Sequence, residues 1–256
     1  MRLRGRLSAR SVLLVVASLA GWIVLLTLER HSQVPICLSQ ASLDALASGA
    51  LAHALTADPP ALILLSCFAM VVAMMSPLLA RPIGYLRLRS ATSRRWRATT
   101  LFMASYLSVW IIAGMILLSA SAALRLLAGT GFAAPLISLA IAAAWHTTPW
   151  RQHALNRCHH LPAVAAFGAA ADRDCARFGI VHGSWCVLTC SPLMSLPLSA
   201  PEFHLPLMAA VAVALFLERM EPGRRPAWTI PNLPGRTAAA TVMRSICSRA
   251  RHAAAS

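Results

Sequence analysis

Long apolar runs alternate with short stretches that hold almost all of the charge, and this alternation predicts six helices. They lie near 11–28, 60–80, 99–120, 128–145, 179–199 and 205–218. A helix needs about 20 apolar residues to cross the hydrocarbon core of a bilayer, and the longer runs meet that length. The fourth and sixth are short and alanine-rich, so the pattern fixes their ends least sharply. The first run follows Arg2, Arg4, Arg6 and Arg10, as a secretory signal would. Its apolar stretch is long, however, and no small-x-small cleavage site leads into a hydrophilic chain, so it reads as an uncleaved span. Leu43–Leu55, between the first two spans, has the amphipathic character of an interfacial helix. The expected fold class is all-α: a polytopic membrane helix bundle filling residues 1–218, followed by an Arg-rich tail over 219–256 with the composition of a poorly ordered segment.

Composition strengthens the membrane reading. Of the 256 residues 58% are hydrophobic and 12% charged, where a soluble domain carries roughly 25% charged residues; the mean hydropathy is +0.65. The net charge of +15 would suit a nucleic-acid binder if it formed one surface. Instead the 23 cations are all arginine and sit between the apolar runs. Four precede residue 11, six lie in 81–98, four in 146–178 and seven after 218, which leaves only Arg30 and Arg125 in the alternate loops. Positive residues stay on the cytoplasmic side, so this distribution predicts six spans with both termini cytoplasmic, in a bacterial inner membrane, and no nucleic-acid partner. The eight acids all fall in loops or at helix ends, which disfavours a proton-coupled pump built on mid-membrane carboxylates.

Within the fifth span His182, Cys186, Cys190 and Met194 recur at four-residue steps, so on a helix they share one face. The second span carries Cys67, Met70, Met74 and Met75. The two spans run in opposite directions in this topology. At 1.5 Å per residue, Met70 and Cys190 both lie about 15 Å from the periplasmic end, and Met74 and Cys186 about 20 Å. Thiolate and thioether ligands select Cu(I), and imidazole suits copper or zinc; zinc is the lesser candidate, since thioether is a weak ligand for it. His182 and Met194 are about 18 Å apart along the axis, so one ion cannot use the whole stripe. Against this stands the plain reading of buried Cys and Met as packing. Pro192, inside the fifth span, frees a carbonyl and kinks the helix, as happens where helices line a cavity.

HGSWCVLTCSPLM (His182–Met194) resembles the signature of a bacterial domain-of-unknown-function family described as predicted metal-binding integral membrane proteins, some labelled copper chaperones. That signature runs His-Gly, two residues, Cys, two residues, Cys-Cys-Trp-Ala-Leu-Met. FAMVVAMMSPLLARP (Phe68–Pro82) is similar to the family's Ala-Met-Met-x-Pro block, and WHTTPWRQHALNRCHHLP (Trp145–Pro162) to its Thr-Pro-basic stretch ending in Cys-x-x-x-Pro. His182, Gly183, Cys186, Cys190, Leu193 and Met194 match, whereas Thr189 replaces one family Cys and Ser191 the Trp. The resemblance implies metal binding, and it singles out Cys158 in the 146–178 loop as a weaker further ligand.

Other chemistries find little support. Cys158, His159 and His160, with His153 and Cys175 nearby, lack zinc-finger spacing, and His146 reads as a residue at the end of the fourth span. There is no P-loop, Cys-x-x-Cys-His or Gly-x-Ser-x-Gly motif, so no enzyme is expected. The expected function is Cu(I) handling between the second and fifth spans, with transfer to a cuproenzyme or metal transporter. The alternatives are a metal-free membrane scaffold or assembly subunit and, less favoured because no internal repeat is visible, a small-solute permease.

Overall fold

The computed structural model describes residues 9–31, 60–129, 131–220 and 223–228, and every regular element among them is helical. In chain order these are α1 (Ala9–His31), α2 (Pro60–Met75), α3 (Ala80–Arg89), α4 (Arg95–Ala128), α5 (Ala133–Thr147), α6 (Pro149–Cys158), α7 (Gly168–Ser199) and α8 (His204–Met220). The expected helix at Leu43–Leu55 lies outside the described residues, as does nearly all of the tail.

Local chemistry marks several helix ends. Pro60 and Pro149 open α2 and α6, where a missing N–H costs nothing, and the Thr148 hydroxyl accepts from Arg151 N–H to cap α6. Gly129, at φ 74°, ends α4, and Gly168, also at φ 74°, turns the chain into α7. A 3-10 turn at Ser76–Leu79, containing Pro77, joins α2 to α3.

Helical segments at 61–89, 92–128, 168–199 and 201–220 are long and apolar enough to cross a membrane, and two shorter apolar helices occupy Val12–Leu28 and Ala133–Thr147. All six apolar runs are thus helical, but their ends differ from those the hydropathy pattern predicts. The second run continues through Pro82 to Arg89, and the fifth begins at Gly168 rather than at 179. The extra turns of α7 are polar on one side only. Ala171, Cys175 and Phe178 are buried, while Asp172 pairs with Arg94 and, at 2.7 Å, with Arg97. A hydropathy window stops where polarity begins; an amphipathic helix does not.

The centre of the bundle is the pairing of α4 with α7. Each buries a stripe at four-residue steps: Phe102, Tyr106, Trp110, Gly114 and Leu118 on α4, and Phe178, His182, Cys186, Cys190 and Met194 on α7. Gly179 and Gly183 form a small-xxx-small pair that lets the backbones approach closely. A β-carbon on Gly179 would overlap the Phe102 carbonyl and stand 2.9 Å from Ser105 Cβ, and one on Gly183 would stand 3.2 Å from Val109 Cβ. α1 lies as closely on α2: a β-carbon on Gly21 would meet Ala73 N at 2.8 Å, and the Ser18 hydroxyl donates to Ala73 O at 2.5 Å. Outward-facing positions on the apolar helices are themselves apolar, among them Leu13, Ile23, Ile112, Ile116, Leu136, Ile141 and Val213.

Candidate metal centre

Cys186 and Cys190 stand one turn apart on α7, both fully buried, with their Sγ atoms 3.9 Å apart. Three other helices bring side chains to this pair, and a fourth brings one to the adjacent Thr189. Met75, the last residue of α2, places its Sδ 3.9 Å from Cys186 Sγ. Tyr106 of α4 donates its hydroxyl to Cys186 Sγ at 3.3 Å. Arg219, at the end of α8, directs Nη2 to Cys186 Sγ at 3.1 Å, to Thr189 Oγ1 at 3.1 Å and to Cys190 Sγ at 3.9 Å. Cys158, the last residue of α6, lies behind Thr189, Sγ to Oγ1 3.9 Å. Met75 ends α2, Cys158 ends α6 and Arg219 is the last residue but one of α8, while Cys186 and Cys190 lie part-way along α7.

The neighbouring contacts fix Arg219 in place. Its backbone carbonyl accepts from His159 Nε2 at 3.2 Å, in the tautomer that carries the proton there. The carboxylate of the preceding residue, Glu218, meets a different set of groups: Arg151 Nη2 approaches to 2.9 Å and His146 Nδ1 to 3.4 Å. Thr189 donates to the Cys186 carbonyl at 2.8 Å, which leaves its oxygen lone pairs facing the guanidinium. On α6 and just beyond it, burial governs ionisation. It pushes the Cys158 thiol up to about 11, so that thiol stays protonated at neutral pH. Burial also holds His159 below the ordinary imidazole range, and a neutral ring remains.

The other residues singled out from the sequence occupy different places. His182, one turn before Cys186, is enclosed by the rings of Phe102, Tyr106 and Phe178 at centroid distances of 6.1, 6.0 and 5.7 Å. Its Nδ1 has no hydrogen-bond partner among the described residues. Met194 is buried one turn beyond Cys190. Met70 and Met74 are buried on α2, yet the sulfur carried to the thiols is that of Met75. The residue that meets Cys186 is the neighbour of Met74, about 100° further round the helix. Among the described residues no three His, Cys, Asp or Glu side chains gather at one point; the set is two thiols and a thioether, with Cys158 beyond Thr189.

Sequence reasoning passed over Tyr106 and Arg219. Tyr106 left one usable trace: it is one of two tyrosines in the chain, and it places a hydroxyl deep in an apolar run. Arg219 left none, because an arginine ending an apolar helix reads as a topology marker.

Fold and site together define a bundle of membrane-length apolar helices with a buried sulfur cluster in its interior. A copper chaperone family, PpoB2, matches residues 64–242, and the chain belongs to it. The match takes in all three sequence blocks and every residue of the cluster. No curated protein and no solved structure matches the chain.

Proposed function

We propose that this protein is an integral inner-membrane copper-handling protein that binds Cu(I) at Cys186, Cys190 and Met75 and hands it to a cuproenzyme or a metal transporter. The observation that carries this reading is the 3.9 Å spacing of the two thiols with a thioether 3.9 Å from one of them. Metal–thiolate bonds of about 2.3 Å across that spacing subtend about 115–120°. That is too narrow for a linear two-coordinate ion and suits a trigonal one with a third sulfur. Two thiolates and a thioether are soft ligands without a carboxylate, the donor set of Cu(I). His182, Met194, Met70 and Met74 line the same region as way stations along the two spans, and Cys158 is a secondary ligand at the entrance. Zinc is the lesser ion here for want of a fourth donor.

Membership of a copper chaperone family supports copper as the cargo. The membrane reading rests on the long apolar helices and their apolar exteriors, a surface that water does not tolerate at this extent. Six crossings with cytoplasmic termini rest on the arginine distribution.

One rival has a specific observation in its favour. Cys186 already accepts from Tyr106 and Arg219, so the cluster is satisfied without an ion, as in a metal-free scaffold. Anaerobic purification with quantification of copper and zinc separates the two. We expect close to one copper per chain in the natural protein and none after changing Cys186 and Cys190 to Ser together. Near-zero metal in both would establish the scaffold, and zinc alone would overturn the choice of ion. A topology reporter fused after residue 90 is expected to read cytoplasmic, and a periplasmic signal there would end the six-span reading.

A further inference from the structure

The thiol pair shares its space with a fixed cation, and that has a consequence for which ion fits. A thiol that ligates a metal gives up its proton. Binding at Cys186 and Cys190 therefore forms two metal–sulfur bonds and releases two protons to solvent. The two thiolates contribute a charge of −2. Met75 and Tyr106 are neutral. Arg219 adds +1 at 3.1 Å from Cys186 Sγ, in a cluster whose sulfurs are fully buried. The carboxylate of the preceding residue, Glu218, is matched by Arg151 at 2.9 Å.

Resting on the copper reading above, we infer that Arg219 is the residue that makes the site select a monovalent ion. Two thiolates and one guanidinium leave a net −1, which Cu(I) neutralises. A divalent ion such as Zn(II) would leave +1 stranded in an apolar setting, where an unpaired charge is costly. The two Nη2 contacts to Cys186 Sγ and Thr189 Oγ1 hold the guanidinium beside the sulfurs, and the carbonyl contact with His159 pins the helix end that carries it. Arg219 is thus a charge-setting and positioning residue, with no bond to the metal.

The same balance makes a second prediction. Thr189 accepts from the guanidinium and lies 3.5 Å from Cys190 Sγ. A thiol at 189 would add a third thiolate and bring the site to −2, the charge that a divalent ion neutralises.

The test measures Cu(I) and Zn(II) affinities by competition with chromophoric chelators on the detergent-solubilised full chain. The natural protein is compared with R219K, R219Q and T189C, each checked for a monodisperse helical state. The expected Cu(I)-over-Zn(II) ratio is near that of the natural protein in R219K, which keeps the charge. It falls about tenfold or more in R219Q, as stranding or releasing a buried charge requires, and it falls likewise in T189C. An unchanged ratio in folded R219Q, or a collapsed ratio in R219K, overturns the inference while leaving Cu(I) binding intact. Absence of copper from the natural protein overturns the copper reading itself. Should R219Q fail to fold, T189C decides: a ratio that does not move towards Zn(II) rejects the charge balance.

Discussion

The Tyr106 hydroxyl lies 3.3 Å from Cys186 Sγ, across the line where α4 and α7 approach most closely. The contact exists because Gly179 and Gly183 carry no β-carbon; side chains there would push α4 away and lift the hydroxyl off the sulfur. Tyr106 is fully buried, and its O–H has an acceptor only because the thiol is there. Tyr106→Phe keeps the ring and removes the donor. A hydrogen bond to a charged acceptor contributes ~1.5–3 kcal/mol, so Cu(I) affinity is expected to fall about tenfold or more in a chelator competition. An affinity equal to the natural protein's would show that the hydroxyl does nothing for the bound ion.

The three methionines of α2 separate cleanly by substitution. Met→Leu conserves volume and costs less than about 1.5 kcal/mol of stability, so loss of metal can be read apart from loss of fold. Met75→Leu is expected to weaken Cu(I) binding about tenfold or more, by removing one of three sulfur ligands. Met70→Leu and Met74→Leu should leave affinity at the cluster unchanged. The opposite order of effects would move the third ligand to the face first read from the sequence.

Close packing of α4 and α7 makes a sharp contrast between two glycines. Gly179→Val is expected to destabilise the protein by about 3 kcal/mol or more, because backbone rather than a flexible side chain would have to move. A β-carbon on Gly114, also on the buried face of α4, meets nothing within 4 Å. Gly114→Ala should therefore be neutral or stabilising by up to about 1 kcal/mol through helix propensity alone. Thermal unfolding in detergent measures both, and equal effects would show that the α4–α7 distance is larger than described here.

His159 supplies a pH dependence. Burial holds its ring below the ordinary value, with the Arg219 charge adding to the effect and the carbonyl contact opposing it. A group with a depressed value in the folded state binds fewer protons folded than unfolded. Its contribution is therefore full above the unfolded value of about 6.5 and is lost as pH falls through the folded value. The natural protein is expected to melt at a lower temperature at pH 5 than at pH 7.5, and His159→Gln should reduce that difference. A His159→Gln melting curve with the same acid slope would assign the slope to other groups.

How much was legible follows from which interactions are local. Apolar runs with charge gathered between them identified the six apolar helices but not α6, because the burial of apolar side chains is a property of sequence. Helix ends were less legible. α7 begins at Gly168 because Ala171, Cys175 and Phe178 continue its buried stripe, while Asp172 finds Arg94 and Arg97 on a distant segment. The Cys186–Cys190 pair was legible for a related reason: a four-residue step on a helix brings two side chains together whatever surrounds them.

The sequence by itself determined the helical bundle, the sulfur-bearing face of α7 and, through three blocks, the family. Tertiary structure alone decided which groups meet that face. Met75 rather than Met74 reaches Cys186 because the rotation of α2 about its axis is set by packing on α1, where Gly21 fits against Ala73. His182 is enclosed by three aromatic rings from α4 and α7, a setting no spacing rule reports. Arg219 comes from a different helix, later in the chain, and reaches Cys186 and Thr189 while its neighbour Glu218 pairs with Arg151. Spacing along one helix is fixed by the backbone; rotation and approach between helices are fixed only when all their side chains pack at once.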